Sequence, residues 1–290
     1  ATLIAPLPSV RETPGLVYAT DSAYQYIEVF DRGPMRHLTY NDALGFQTVA
    51  NRAGPLTGLY YDYYALLPML LDRPAGSALV IGLGGGIIAN QYGYFHPGMR
   101  VDGVEIDPEV IRIAHEYFAL GPATRVFAQD GRIFAAKSRD KYDVVVVDAY
   151  TNQIYVPFHL STREFFRELK ARLTDGGLVA MNVSSARDDA PLLSGICASL
   201  QAEYAHVYRM RVPGSNDYIV LASEQAVAFD LLAADYGDVM GPLAEQVNRG
   251  FGVAPVTAAR PLTDDWAPVE HMVDWELLAR KVRPAGAHGS

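Results

Sequence analysis

Ala78-Leu79-Val80-Ile81-Gly82-Leu83-Gly84-Gly85-Gly86 opens the stretch that decides the fold, Ser77 to Tyr150. It continues through Val101-Asp102-Gly103-Val104-Glu105-Ile106-Asp107 and Gln129-Asp130-Gly131-Arg132. It closes on Tyr142-Asp143-Val144-Val145-Val146-Val147-Asp148-Ala149-Tyr150. A short apolar run rich in Val and Ile, without polar alternation, suits a strand buried on both faces. Glycines directly after such a run let the chain turn sharply and bring a ligand against bare backbone. The helix expected from Ile87 to Tyr94 then points its N-terminal amides at that ligand. Four strand-like ends each deliver a glycine or a carboxylate, and open α/β sheets bind ligands at the carboxyl ends of their strands. The pattern predicts the nucleoside-binding edge of a doubly wound α/β sheet.

Two ligand classes fit this edge. Gly84-Gly85-Gly86-Ile87-Ile88-Ala89 satisfies the dinucleotide fingerprint G-x-G-x-x-A, a weak signal when it stands alone. The other class is S-adenosylmethionine or its decarboxylated form. In that reading Gly82, Gly84 and Gly86 lie beneath the donor's arm. Glu105, about 20 residues past the glycines and beside Ile106, takes the ribose hydroxyls. Asp130, beside Gly131, takes the adenine amino group, and Asp148 faces the reacting carbon. A set of solvated strand caps accounts for any one of these acids but poorly for the ordered series. A dehydrogenase would also need hydride-transfer partners, and no motif supplies them.

The 290 residues, 50% hydrophobic and 20% charged, suffice for one large domain with a small appendage. A net charge of -9 argues against a nucleic-acid partner and is compatible with a cationic substrate. One cysteine, Cys197, leaves no intrachain disulfide and no zinc cluster, so no metal is expected. No run of eighteen apolar residues predicts a membrane span, and the start, Ala1 to Pro6, lacks the features of a signal peptide; a cytoplasmic location is the expectation. The tail 284–290 reads as a disordered end.

The front of the chain predicts a small β-rich subdomain, residues 1–54, with strands at Tyr24–Phe30, Met35–Tyr40 and Leu44–Ala50. Residues 55–283 form the Rossmann-like domain. Its expected elements are a helix from Leu56 to Leu71, then helices at Pro108–Phe118 (capped by Asp107), Ile133–Lys137 and Thr162–Leu173 (capped by Thr162). A strand follows at Leu178–Val183, with Asp175-Gly176-Gly177 as the turn before it. A helix at Pro191–Tyr204 leads to strands at Ala205–Val212 and Tyr218–Ser223, read as an antiparallel hairpin. Residues 225–250 are expected to be helical, and Trp266 and Trp275 to lie in the core.

Taken in order, the strand and glycine turn, V-E-I-D, D-G-R and Y-D-V-V-V-V-D-A resemble the polyamine aminopropyltransferases, the spermidine and spermine synthase family. Tyr24-Gln25 and Gln47 resemble the Tyr-Gln pair and second Gln of the family's small N-terminal β domain, and Ile154 to Phe165 and Leu262 to Glu270 resemble its divergent bacterial branch. The resemblance covers roughly residues 15 to 275. It implies a class I methyltransferase-type sheet with a small N-terminal β subdomain, and a transferase with no permanently bound cofactor. The implied co-substrate is decarboxylated S-adenosylmethionine or S-adenosylmethionine itself. Aminopropyl transfer to a small amine is the first reading; methyl or aminocarboxypropyl transfer, or binding without transfer, is the second. Asp148 matches the acid that deprotonates and orients the attacking amine, with Tyr60 or Tyr150 as walls and hydrogen-bond partners. Gln25 and Gln47 join the donor site. Family members usually form homodimers.

Departures from the family pattern bear on both substrates. Gly85 stands where the family has an Asp that grips the donor's amine, and Tyr60-Tyr61-Asp62 replaces Tyr-His-Glu or Tyr-Gln-Glu. Thr151 stands where a second Asp would hold the acceptor's amine. The site therefore either draws on other acids (Asp62, Asp217, Asp264, Asp265 or Glu270) or accepts a different donor.

Overall fold

The computed structural model describes residues 13–41, 45–150, 155–233, 237–256 and 258–282. The expected start of the third strand at Leu44, the residues Thr151, Asn152 and Ile154, the start 1–12 and the tail 284–290 lie outside the described residues.

Two sheets form the frame. The N-terminal one is an antiparallel meander of β1 (Leu16–Asp21), β2 (Tyr26–Arg32), β3 (Met35–Tyr40) and β4 (Thr48–Asn51). The second has 8 strands in the order β12-β10-β11-β9-β8-β5-β6-β7. Its strands are β5 (Ser77–Ile81), β6 (Arg100–Glu105), β7 (Arg125–Ala128), β8 (Tyr142–Val147), β9 (Leu173–Ser184), β10 (His206–Arg211), β11 (Asp217–Ser223) and β12 (Gly252–Val253). From β7 to β9 the pairing is parallel; β10, β11 and β12 join antiparallel. The hairpin expected from the sequence is β10–β11, with Arg211 opposite Tyr218.

The apolar runs are buried on both faces. Ala78, Val80, Val144 and Val146 pack with the helices α1 (Tyr61–Tyr64), α2 (Ile87–Phe95), α3 (Pro108–Tyr117) and α7 (Gly237–Gly250). Their neighbours Leu79, Ile81, Val145 and Val147 pack with α4 (Gly131–Lys137), α5 (Arg163–Lys170), α6 (Pro191–Gln201) and α8 (Val269–Val282). Alternate residues of one strand thus feed opposite cores, the geometry of a doubly wound sheet. From β5 the chain steps outward to β6 and β7, then returns to place β8 on the other side of β5. The strand order reverses between β5 and β8, where such sheets hold their ligands.

Several elements differ from expectation. The Leu56–Leu71 helix is two pieces, α1 and a 3-10 turn at Leu67–Leu70, because Pro68 has no amide to donate to the Tyr64 carbonyl and its ring crowds that carbonyl. The Asp175-Gly176-Gly177 turn lies inside β9 as an irregularity of its pairing with β8, Gly176 taking φ +71, so the strand starts at Leu173. Among the described residues of 225–250, α7 is the one α-helix. Residues 227–231 are irregular and held by specific contacts: Phe229 stacks on Phe251 at 4.8 Å, Val227 N–H donates to Tyr208 Oη at 3.1 Å, and Asn248 bonds both backbone groups of Leu231. Trp275 is 63% exposed, because α8 buries Val269 and Val273, and a residue two positions past Val273 points away from that face. Trp266 is half-buried beneath Arg260. Asp107 and Thr162 cap α3 and α5 as expected, through the amides of Glu109 and Phe165.

Candidate active site

The site begins with β5. Ile81 O accepts from Asp148 N–H at 2.8 Å, and Gly82 follows at φ +84. A side chain on Gly82 would put its Cβ 2.4 Å from Asp148 O, so this close approach of the two strand ends requires glycine. Leu83 and Gly82 both donate to Val104 O, which ties the turn to β6. Gly84 N–H then donates to Glu105 Oε2 at 3.0 Å, and Glu105 Oε1 accepts from Asp107 N–H at 3.2 Å. The acid at the tip of β6 is thereby held against the glycine turn.

A cavity of about 390 Å³ opens at this switch point, of a size that suits a nucleoside-sized ligand. Gly82, Gly84, Glu105 and Ile106 line one side, with Asp130, Gly131 and His159 near them. Asp148 and Tyr150 line the β8 end. Gln25 and Gln47 reach it from the N-terminal sheet together with Tyr24. Gly86 and Tyr60 do not line it. Gly86, at φ +81, is the N-terminal cap residue of α2, and Tyr60 meets Asp148 through its hydroxyl, which donates to Oδ2 at 2.8 Å.

The acids here differ in what holds them. Asp130 Oδ1 caps α4 by accepting from the amides of Arg132 and Ile133, and its Oδ2 lies 2.9 Å from His159 Nε2. His159 thus meets Asp130 through a hydrogen bond on the cavity wall. Burial raises the Glu105 carboxyl, against the amides of Gly84, Asp107 and Ile106 that favour its charge. Burial also pushes Asp148 up to about 7; Tyr60 and the Asn182 amide, whose Nδ2 donates to Oδ1 at 3.2 Å, pull it down, and Asp217 raises it further. Asp148 ionises near neutrality and can accept a proton from a cationic amine.

The spermine/spermidine synthase domain matches residues 59–245. The chain belongs to that family. A probable polyamine aminopropyl transferase of Bifidobacterium longum (strain NCC 2705) is 33% identical over 294 residues, covering 93% of this chain and 65% of its own length. This chain therefore spans just under two thirds of that relative. A polyamine aminopropyltransferase of Vibrio vulnificus (strain CMCP6) is 28% identical over 286 residues, covering 92% of this chain and 94% of its own. The fold is similar to that of a probable spermidine synthase from Corynebacterium glutamicum ATCC 13032, with TM-score 0.70 at 16% identity over 85% of this chain and 96% of that one.

Gly85 departs from the family pattern for a packing reason. An added Cβ there would lie 2.6 Å from Thr48 Cγ2 and 3.0 Å from the Phe118 ring, and Gly85 N–H donates to Thr48 Oγ1 at 2.9 Å. The N-terminal sheet and α3 occupy the space an acid would need. Of the replacement acids named from the sequence, Asp62 is consumed by Thr57, Gly58 and Gln91, and Asp264 by Arg132 and Thr162. The sequence reading missed Tyr40, Thr48 and Tyr61 on the cavity wall and Asn182 against Asp148. Asn182 had a signal: it is a lone amide inside the apolar run of β9.

Proposed function

We propose that this protein is an aminopropyltransferase that moves the aminopropyl group of decarboxylated S-adenosylmethionine to a polyamine-class amine and releases methylthioadenosine. The observation that carries the reading is the meeting of Glu105, Asp130 and Asp148 around one cavity at the β5–β8 switch point, in a chain of this family. Glu105 takes the ribose hydroxyls and Asp130 the adenine amino group; Gln25, Gln47, Ile106, Gly131 and the glycine turn complete the donor pocket. The amine nitrogen uses its lone pair to bond the carbon beside the sulfonium. The C–S pair returns to sulfur, and the thioether leaves neutral. The proton shed by nitrogen passes to Asp148, which Tyr60 and Asn182 hold in place and Tyr150 walls. The enzyme supplies alignment, a base and negative charge, because a sulfonium needs no acid to leave. The reading includes a homodimer in the cytoplasm.

Intact S-adenosylmethionine is the second reading. With Gly85 in place of the acid, a donor carboxylate meets no opposing charge at that point. Incubation with each donor and a panel of amines, followed by mass analysis of the nucleoside, decides between them. Methylthioadenosine formed from the decarboxylated donor in an amine-dependent way is the expected result. S-adenosylhomocysteine indicates methyl transfer, and neither product with any amine overturns the transferase reading.

A further inference from the structure

The cavity described above is the donor half of the site. In-line displacement requires the amine to approach the reacting carbon from the side opposite sulfur. Along the sheet the order is β6, β5, β8, β9, β11, so the side of Asp148 away from Glu105 is the edge formed by the end of β9 and the start of β11. Asp217 begins β11 and pairs with Ser184, the last residue of β9. Ser184 N–H donates to Tyr150 Oη at 3.0 Å, and Tyr150 Oη donates to Asn182 O at 3.0 Å. Asn182, 3% exposed, gives its Nδ2 to Asp148 and is left with a buried Oδ1 that has no hydrogen-bond partner. The Tyr64 hydroxyl, also fully buried, has none either.

Acceptors therefore outnumber donors along this edge: Asn182 Oδ1 has none, the Asp217 carboxylate accepts from the Ser215 hydroxyl, and the Asp148 carboxylate accepts only the neutral Tyr60 hydroxyl and Asn182 amide. Among the described residues no Arg, Lys or His forms an ion pair with Asp148 or Asp217. A buried amide oxygen in want of a donor is costly, and an ammonium, with three donors and no acceptor, answers it together with the half-buried carboxylates of Asp148 and Asp217. Two strand spacings and a stagger of two residues, about 12 Å between backbones, separate Asp148 from Asp217, and a short-chain diamine held at both ends by their side chains can bridge them.

We propose that Asp217 is the acceptor-side carboxylate of this enzyme, holding the distal ammonium of a diamine while the proximal nitrogen sits at Asn182 Oδ1 and Asp148. This restores, from a different strand, the negative charge that Thr151 does not supply. It rests on the aminopropyltransferase reading. Asp217 is a positioning residue that sets the preference for diamines over monoamines, and it takes no part in proton transfer.

Steady-state rates are measured with putrescine and with butylamine, in the full-length wild type and in Asp217→Asn and Asp217→Glu. Putrescine binding in the presence of methylthioadenosine is followed separately by calorimetry. In Asp217→Asn the KM for putrescine is expected to rise about tenfold to a hundredfold, the KM for butylamine to stay unchanged, and kcat to change little. Asp217→Glu is expected to recover part of the putrescine preference, which a merely structural defect would not allow. An unchanged ratio of the two KM values, or equal putrescine binding by wild type and Asp217→Asn, overturns the proposal while leaving the transferase reading intact. A wild type that yields no methylthioadenosine overturns the transferase reading. If that wild type binds no putrescine either, this proposal falls with it.

Discussion

Asp148 has two consequences that one substitution separates. Its carboxyl, ordinarily near 3.8, is raised to about 7 by burial, so the charged form is disfavoured in the folded state. Below pH 4 the group is protonated in folded and unfolded chains alike and costs nothing. As pH rises from 4 to 7 the unfolded chain ionises first and stability falls; above 7 the full penalty remains. A difference of roughly three pH units corresponds to about 4 kcal/mol as an upper bound, reduced by solvent in the cavity to about 1–2 kcal/mol. Asp148→Asn is therefore expected to raise Tm at pH 8 and leave it unchanged at pH 4, while transfer falls by at least about a hundredfold. Scanning calorimetry at both pH values checks the first and product formation the second. Tyr60→Phe removes one bond to the charged carboxylate. The acid limb of kcat/KM, expected near pH 7, should then move up by about one pH unit. A limb that stays in place or moves down would show that Tyr60 does not support the ionised form. Glu105, Asp130 and Asp148 were legible in the sequence because each directly follows a strand-like run. Asn182, Tyr40 and Tyr61 were not, because their place in the site depends on which strand lies beside β8 and on how the N-terminal sheet docks.

At the level of elements, the glycine turn decides the donor end of the site. Its conformation was readable from Gly82 to Gly86, but the reason for Gly85 was not: it lies in Thr48 and Phe118, which come from β4 and the end of α3. Restoring an acid there forces its Cβ against two neighbours with little room to yield. Gly85→Asp is thus expected to cost about 1–3 kcal/mol of stability and to bring no gain in use of the decarboxylated donor. Denaturant unfolding and KM for the donor report the two effects. A stable Gly85→Asp with lowered KM would show that β4 and α3 can give way. The elements that the sequence misplaced share a cause of this kind. Residues 227–231 have helical composition, yet contacts to Phe251, Tyr208 and Asn248 hold them in an irregular path, and those partners are remote in sequence. Where the signal was local, as in the Val-rich run of β8 or the Thr162 and Asp107 caps, the reading and the structure coincide.

Across the whole molecule, the N-terminal sheet acts as a wall of the cavity, joined to the second sheet by specific bonds. Ser22 Oγ donates to Asp107 Oδ2 at 2.6 Å, Arg36 Nη1 to Tyr117 O at 3.0 Å, and Tyr18 stacks on Tyr117 at 5.1 Å. Thr48 accepts from the glycine turn itself, and Gln25, Tyr40 and Gln47 line the pocket. A ligand in that pocket touches both sheets at once and stabilises the arrangement that binds it, by about 2.7 kcal/mol at a concentration a hundredfold above its dissociation constant. The stabilisation should therefore appear in both sheets. With saturating methylthioadenosine, amide hydrogen exchange is expected to slow in β3 and β4 as well as at the ends of β5 and β6. Protection confined to the 8-stranded sheet would mean that the nucleoside binds without the N-terminal wall, and Gln25 and Gln47 would lose their assigned place. Protection in both, lost from β3 and β4 in a Thr48→Val variant that still binds the nucleoside, would locate the coupling in the single bond between the Gly85 amide and the Thr48 hydroxyl.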